Sequence, residues 1–356
     1  MPAPKHRDLD LTRNQLSRWL AEKLPGARDL RAGELTGPSE TGFSSDTLLF
    51  DAEWTQGGEA RRECFVARLR PTGFTVFPRY DIALQYRIMK TLGATDVPVP
   101  HMRWLEEDDS VLGVPFLVMN RVSGRVPTDN PPYHAGGWVP ELAPEERAAL
   151  WWSGLEAMAR IHRLDWRALG LGVLARPEYG ATPLEQQLRE YDEYLDWGVD
   201  RARHPLIQRA RRWLHEKRPP EGTVALCWGD SRPGNQIFDG VQCVAVIDWE
   251  MARLGDPVQD LAWWIALDRC LSEGIGIERL AGLPDPQATI ARWEGLVDRE
   301  ARHFAYYEVL ALYKFTVIMA RIGLQLKHYE IMPPDNDMDV NNLASQTLLR
   351  VLDEMA

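Results

Sequence analysis

Residues 227–238 read CWGDSRPGNQIF, and this stretch decides the fold. Asp230 is followed five positions later by Asn235, with Pro233 and Gly234 between them and apolar residues on either side. Aspartate, proline, glycine and asparagine are the residues that tight turns use, so the stretch alone predicts only a loop between two buried strands. The sequence that follows favours a functional site over a plain turn.

A second acidic motif, IDWE, lies at residues 247–250, after a predicted turn and a short apolar strand. A hairpin at that turn would bring Asp248 back beside Asn235, so that Asp230, Asn235 and Asp248 meet at one mouth. Mg²⁺ prefers oxygen ligands and leaves part of its octahedral shell to water and substrate phosphates. The spacing therefore predicts Asn235 and Asp248 as metal ligands, which leaves Asp230 to orient an attacking hydroxyl.

The composition fits a two-lobed globular protein. The chain has 356 residues, 45% hydrophobic and 26% charged, and at about 150 residues per domain this length predicts roughly two domains. A net charge of −11 argues against a nucleic-acid surface or a polybasic membrane anchor. Four scattered cysteines without a C-x-x-C pair predict a reduced, cytoplasmic protein.

Two segments bear on membrane insertion or targeting, namely the N-terminus and one late apolar stretch. The N-terminus, MPAPKHRDLD, has no apolar core, so we expect no signal peptide. The late apolar stretch at residues 306–326 is interrupted by Glu308, Lys314 and Arg321, which predicts a buried helix rather than a membrane span.

The hydrophobic pattern changes near residue 122. Before it, a helix is predicted to begin at Thr12, short alternating segments such as ECFVARLRP (63–71) predict antiparallel strands, and a second helix is predicted at about residues 80–92. After it, long helical patterns predominate. We therefore expect an α+β protein with a small, largely antiparallel-sheet lobe at residues 1–121 and a larger, mostly helical lobe at residues 122–356.

Three motifs together carry a family resemblance. The loop WGDSRPGN, the IDWE motif and GDPVQDLA at residues 255–262 resemble the aminoglycoside phosphotransferase and choline kinase-like superfamily. Within it, the chain looks most similar to the branch associated with acyl-CoA dehydrogenases, which acts on hydroxyacyl-CoA compounds. The resemblance implies a protein-kinase-like bilobal fold, ATP and Mg²⁺ as cofactors, Asp230 as the catalytic residue, and Asp260 as a structural aspartate that hydrogen-bonds the backbone of the catalytic loop.

The resemblance also places the nucleotide against the small lobe. A Gly/Ser/Thr turn at residues 37–46 would offer backbone N–H groups and hydroxyls to phosphates, and adenine would lie near residues 119–122. Arg68 stands where kinases carry a lysine, and Gln85 where the family has a glutamate, so a hydrogen bond from Arg68 to Gln85, or the charge of Asp81, would replace the usual ion pair. The predicted nucleotide-binding residues are Gly37, Thr41, Gly42, Ser44, Arg68, Gln85, Met119 and Arg121.

These residues predict an ATP- and Mg²⁺-dependent phosphotransferase that phosphorylates a hydroxyl of a small molecule. The family resemblance, rather than the charge pattern, favours a hydroxyacyl-CoA as the acceptor, although the basic run RARHPLIQRARRW (201–213) would suit it. Two alternatives stay open: five acidic residues at 185–196 would suit a cationic antibiotic, as in an aminoglycoside 3'-phosphotransferase, and the departures at Arg68 and Gln85 would suit a nucleotide-binding pseudokinase. We expect neither nucleic acid nor membrane as a partner, and the sequence leaves a homodimer open.

Overall fold

A five-stranded antiparallel sheet forms the small lobe. The computed structural model describes residues 7–37 and 46–355, and its sheet has the strand order β1-β2-β3-β5-β4. Arg68 lies opposite Thr47 on one side and Leu117 on the other, which places it on the central strand. The strands are β1 (Arg28–Ala32), β2 (Asp46–Gln56), β3 (Glu59–Leu69), β4 (Met102–Glu106) and β5 (Phe116–Asn120).

Helix α1 (Leu9–Lys23) covers one face of this sheet. It begins at Leu9 rather than at the predicted Thr12, because the Asp8 carboxylate accepts a hydrogen bond from the Leu11 N–H at 2.9 Å and so caps the first turn. Trp19 packs edge-on against Phe116 of β5, with ring centroids 4.9 Å apart. The helix and this sheet face thus share one apolar core.

Helix α2 (Ile82–Leu92) follows β3 and belongs to a different core. Ile88 and Met89 pack in the same apolar cluster as Met119 of the sheet and the helices of the large lobe. The boundary predicted at residue 121 falls just after β5, but the large-lobe core continues across it into α2. A helix of the small lobe is therefore held by apolar contacts of the large lobe.

Helices predominate after β5, as the sequence predicts. Two short antiparallel pairs, β6 with β9 and the hairpin of β7 with β8, are set among these helices and carry the polar motifs. The helices are α3 (Pro144–His162), α4 (Pro183–Gly198), α5 (Pro205–Glu216), α6 (Val258–Cys270), α7 (Pro286–Val297), α8 (Phe304–His328) and α9 (Leu343–Glu354), and the strands are β6 (Ala225–Cys227), β7 (Gln236–Asp239), β8 (Gln242–Val246) and β9 (Arg253–Gly255). This α+β arrangement confirms the predicted fold class.

Helix α8 contains the late apolar stretch at residues 306–326, which is long enough to be compared with a membrane span. Among the described residues it alone is long and apolar enough to cross a membrane, yet 78% of its most apolar window is buried inside the protein. It packs mainly against α6 and α9. The helix therefore has the burial of a core helix, as predicted.

A buried carboxylate ties the loop after the sheet to helix α6. Asp268 accepts hydrogen bonds from the Tyr133 hydroxyl at 2.5 Å and from Arg279 Nε at 2.6 Å, and His134 Nε2 lies 3.2 Å from it. Burial alone would raise the pKa of Asp268, but His134 and Arg279 outweigh it and hold that pKa below its ordinary value. Asp268 therefore stays charged in the core and binds two segments together.

We expect Asp268→Ala to lower the free energy of unfolding by about 3–5 kcal/mol, because it leaves the buried Tyr133 hydroxyl and the partly buried Arg279 without the carboxylate that both donate to. Urea denaturation followed by circular dichroism measures this loss. Asp353→Ala is the matched control: it removes the exposed ion pair with Arg209 and should cost less than about 1 kcal/mol. Equal losses in the two variants would contradict the role assigned to Asp268.

Candidate active site

Asp260, in the first turn of α6, anchors the loop between β6 and β7. Its carboxylate accepts hydrogen bonds from the backbone N–H groups of Trp228 at 2.6 Å and Gly229 at 3.0 Å, and its carbonyl accepts one from the Ser231 hydroxyl at 2.7 Å. Gly229 has φ +94°, and a Cβ there would lie 2.2 Å from the Met251 carbonyl oxygen, so only glycine fits. The loop is thus held in one conformation, by the bonds that the resemblance implies for Asp260.

His162 contacts the Asp260 carboxylate inside the core. Its Nε2 lies 3.0 Å from the Asp260 carboxylate, and its Nδ1 accepts a hydrogen bond from Trp293 Nε1 at 3.0 Å. Both ring nitrogens are therefore used inside the core, where the side chain is fully buried. His162 is a structural residue and is not available as a base.

Asp230 is held by hydrogen bonds from three side chains. Trp263 Nε1 donates to Oδ1 at 2.9 Å, Asn235 Nδ2 donates to Oδ2 at 2.7 Å, and Arg232 Nε lies 3.1 Å and 3.2 Å from the two oxygens. Burial raises the pKa of Asp230 and outweighs the opposing effect of the Arg232 charge. The carboxylate is fixed in orientation and 16% exposed, so it can still meet a substrate hydroxyl.

Arg232 connects Asp230 to a residue that the sequence analysis did not identify. Its guanidinium forms an ion pair with Asp129, in the loop between β5 and α3, as well as with Asp230. Asp129 Oδ1 is buried and has no hydrogen-bond partner among the described residues. In the sequence, the only indication of these ion pairs was an arginine two places after Asp230. Nothing in the local pattern identified Asp129 as its second partner.

The IDWE motif lies directly beside the loop that carries Asp230 and Asn235. Ile247 N–H donates to the Asn235 carbonyl at 3.0 Å, and Trp228 Nε1 donates to the carbonyls of Ile247 at 2.8 Å and Asp248 at 3.2 Å. Asp248 itself has a left-handed backbone conformation, with φ +60°. The structure therefore brings Asp230, Asn235 and Asp248 to one place, as the hairpin argument predicts.

The oxygen atoms at this place fit Mg²⁺. Both hydrogen bonds of the Asn235 side chain use its nitrogen, which leaves Oδ1 for another partner, and the Arg68 bond to Asp248 uses only Oδ1 of that carboxylate. In the part of the chain that the structure describes, no three His, Cys, Asp or Glu residues form a metal cluster. Mg²⁺ needs none, because one or two protein ligands with water and phosphates complete its shell.

Arg68 pairs with the acidic motif and not with helix α2. Its Nη2 donates to Asp248 Oδ1 at 2.8 Å and to Glu250 Oε2 at 3.2 Å, while its Nε is buried without a partner among the described residues. The prediction that Arg68 donates to Gln85 is therefore wrong, because Arg68 pairs with Asp248 and Glu250 instead. Asp81 does not replace the missing charge either, because its carboxylate caps α2 by accepting from the Leu84 N–H at 2.8 Å.

The segment after β5 joins the sheet to the catalytic hairpin. Arg121 N–H donates to the Cys64 carbonyl at 2.9 Å, and Arg125 exchanges two backbone hydrogen bonds of 2.8 Å with Phe238 of β7. Gly124, between them, has φ +146°, and a Cβ there would lie 2.6 Å from the Phe238 carbonyl oxygen. The segment predicted to hold adenine is thus fixed directly to the hairpin that follows Asn235.

The remaining residues predicted to bind the nucleotide lie in different parts of the small lobe. Met119 is buried on β5, and Gln85 is buried on α2. Gly37 is the last residue of the first described range, and no described atom lies within 4 Å of where its Cβ would be. Thr41, Gly42 and Ser44 lie outside the described residues. The nucleotide-binding roles of all these residues stay predictions.

The acidic residues of α4 are already paired with arginines. Each of the five lies within 4 Å of an arginine nitrogen: Glu185 with Arg218, Glu190 with Arg253, Asp192 with Arg211, Glu193 with Arg79 and Asp196 with Arg201. Arginines of the basic run at 201–213 are also in ion pairs, because Arg203 and Arg209 pair with Asp339 and Asp353. Neither segment presents a row of free charges.

Curated proteins with similar sequences carry a dehydrogenase name. Acyl-CoA dehydrogenase family member 11 of Gallus gallus is 32% identical over 253 residues, which are 70% of this chain and 30% of that protein. The Rattus norvegicus protein of the same name is 26% identical over 328 residues, 88% of this chain and 39% of that protein. The chain thus spans only about a third of the length of these relatives.

Solved structures share the fold at low sequence identity. A Ralstonia eutropha protein named after the aminoglycoside phosphotransferases superposes with a TM-score of 0.68 at 22% identity, covering 96% of this chain and 98% of that one. An aminoglycoside phosphotransferase in a ternary complex with AMP-PNP and hygromycin B gives a TM-score of 0.54 at 16% identity, covering 96% and 99%. These similarities confirm the predicted kinase-like bilobal fold.

A family model decides the assignment. Residues 42–296, which include Arg68, the catalytic loop, the IDWE motif and Asp260, match the model of the phosphotransferase enzyme family, APH. The match covers well over half of the chain and confirms the resemblance drawn from the three motifs. The chain belongs to the phosphotransferase enzyme family.

Proposed function

We propose that the protein transfers the γ-phosphate of ATP to a hydroxyl of a small molecule, and that this acceptor is a hydroxyacyl-CoA or a closely related metabolite. The observation that carries phosphoryl transfer is the convergence of Asp230, Asn235 and Asp248 around one hydrogen-bonded loop. Nucleotide complexes of structural neighbours, with AMP-PNP in one and ADP in another, support ATP as the phosphate donor.

The chemistry follows from the orientation of Asp230. Its carboxylate would accept a hydrogen bond from the acceptor hydroxyl and then its proton, while the hydroxyl oxygen forms a bond to the γ-phosphorus. The bond from that phosphorus to the β–γ bridging oxygen breaks, and ADP leaves with the electron pair. The proton then passes from Asp230 to solvent, which returns the carboxylate to its starting state.

Three other side chains would hold the phosphates in place. Asn235 and Asp248 would bind Mg²⁺, which supplies positive charge to the phosphates when bound. Arg68 carries a permanent charge, and its Nε is buried without a partner among the described residues, so it has donor capacity left for a phosphate oxygen. Burial opposes the charge of Arg68, but Asp248 and Glu250 outweigh it and raise the pKa of the guanidinium.

Two observations support the acceptor class. The acids of α4, which would suit a cationic aminoglycoside, are already paired with arginines of the same chain, so a polycation would have to compete with those arginines. The curated relatives are acyl-CoA dehydrogenase family proteins, whose substrates are acyl-CoA thioesters by name. The basic run at 201–213 does not add to this support, because its arginines are engaged within the chain.

An acceptor panel tests the proposal. The protein is incubated with ATP and Mg²⁺ and with 3-hydroxy- and 4-hydroxyacyl-CoAs, the matching acyl-CoAs without a hydroxyl, kanamycin or hygromycin B, and products are identified by mass. We expect a gain of one phosphoryl group on hydroxyacyl-CoAs only. Phosphorylation of the antibiotics alone would show that the acceptor class is wrong. No product above the level of Asp230→Asn in any arm would favour a pseudokinase.

A further inference from the structure

Lys314, in the middle of α8, is a buried lysine for which the mechanism above has no use. Its side chain is only 2% exposed, and within the described part of the chain its amine makes neither a hydrogen bond nor an ion pair. Burying an unpaired amine is unfavourable because it loses its hydration, and an apolar side chain of similar length would fill the same space without that loss. A lysine at this position therefore needs a reason other than packing.

The amine of Lys314 lies on the face of Trp263. Nζ is 4.7 Å from the centroid of the indole ring, which is a cation–π contact. Such contacts are strongest when both groups are removed from water, as these are. The contact thus favours the charged amine, and it holds the indole from one side.

The edge of the same ring holds the catalytic carboxylate. Trp263 Nε1 donates to Asp230 Oδ1 at 2.9 Å, so one indole connects the cation to the proposed acceptor of the substrate proton. A cation on the ring face draws electron density from the ring and makes the N–H a stronger donor. The position of Asp230 then depends on a residue that does not touch it.

We propose that Lys314 is a positioning residue for phosphoryl transfer, which acts through Trp263 to hold Asp230 in the orientation that meets the acceptor hydroxyl. The inference rests on the proposed function, because it assumes that Asp230 receives the hydroxyl. Lys314 lies on α8, far along the chain from every motif of the site, and would act on Asp230 only through Trp263.

The charge of Lys314 depends on its surroundings. Burial lowers the pKa of its amine to about 7, and the charge of Arg253 on β9 acts in the same direction. Asp260 on α6, Cys227 on β6 and Asp230 itself oppose that shift. The amine is charged below this pKa and loses its charge as the pH rises through it, so the hold on Trp263 should weaken above neutral pH.

Kinetics and thermal unfolding of Lys314→Met form the first test. We expect kcat to fall about 10- to 30-fold, in line with the loss of a desolvated cation–π contact, with the KM for ATP near the wild-type value. The Tm should rise, because the variant no longer buries a charge. Lys314→Arg should recover most of kcat, since a guanidinium also binds an aromatic face.

Lys327→Met, on the same helix, is the matched control. Lys327 is paired with Asp339 at 2.6 Å and lies outside the proposed site, so this variant should lower Tm and leave kcat unchanged. The reverse pattern for Lys314→Met, a lower Tm with unchanged kcat, would show that Lys314 is merely structural and would overturn the proposal.

The indole N–H resonance of Trp263 gives a second test that needs no turnover. The chain has 14 tryptophans, so this resonance is identified by its loss in Trp263→Phe. It should titrate near neutral pH in the wild type and stay constant in Lys314→Met, and a resonance that does not titrate in the wild type would overturn the coupling. If the resonance titrates but the wild type phosphorylates no acceptor, the proposed function fails while the coupling of Lys314 to Trp263 stands.

Discussion

Asp230→Asn should lower kcat about 100- to 10,000-fold, the range that removal of a general base produces. Asparagine keeps the size of the side chain, but its amide cannot take up the proton of the acceptor hydroxyl. It would also set an N–H group against the N–H groups of Asn235 and Trp263, which both donate to the carboxylate. The measurement is a steady-state assay of phosphorylated product.

Two comparisons make this result specific to Asp230. Asp239→Asn, at the exposed end of β7, changes the same residue type in the same hairpin and should leave kcat unchanged. In the wild type, kcat/KM should fall toward acid pH, because a protonated Asp230 cannot accept the hydroxyl proton. Since burial raises the pKa of Asp230, this fall should begin above the ordinary aspartate range. An acid fall unchanged in Asp230→Asn would contradict the assignment.

Asp248→Asn should lower kcat/KM at least about 100-fold at moderate Mg²⁺, because stabilisation by a bound metal is worth several kcal/mol. An amide is a weaker ligand than a carboxylate, so the Mg²⁺ concentration that gives half-maximal activity should rise as well. Titration of activity with Mg²⁺ at fixed ATP measures both effects. A loss of activity without any change in the Mg²⁺ requirement would contradict the role of Asp248 as a ligand.

Glu250→Gln separates the metal role from the pairing of Arg68. Arg68 donates to both Asp248 and Glu250, so either substitution removes one of its anionic partners. Of these two acids only Asp248 is proposed as a metal ligand, and Glu250→Gln should therefore leave the Mg²⁺ requirement unchanged. If Asp248→Asn and Glu250→Gln raised the Mg²⁺ requirement equally, both substitutions would act through the loss of a partner of Arg68.

The catalytic loop and its partner motif were predictable because their residues are close along the chain. Pro233 and Gly234 set the bend that returns Asn235 toward Asp230, and a single hairpin brings Asp248 beside them. Within such a short segment, turn chemistry and strand pairing leave few arrangements. The fold class followed from the change in hydrophobic period near residue 122, which a single sequence also shows.

Contacts between distant segments were not predictable in the same way. Gln85 was expected to bind Arg68 because it occupies the position of a familiar partner, but the ion pair forms with Asp248 and Glu250 of the large lobe. The start of α1 was placed three residues late because the cap is made by Asp8, a single polar side chain before the apolar pattern begins. Acidic side chains on α4 looked free because their arginine partners lie on other elements.

The sequence by itself thus determined the family, the two-lobed α+β fold and the three polar residues of one loop and hairpin, because each depends on local spacing. Only the tertiary structure decided that Arg232 joins Asp129 to Asp230, that Arg68 faces the acidic motif, and that Lys314 lies against Trp263. These contacts join residues far apart in the chain, and their formation depends on how whole helices and sheets pack. A local sequence pattern predicts whether a segment forms a helix or a strand. It does not predict which distant side chains that element will contact, because many different side chains are compatible with the same helix or strand.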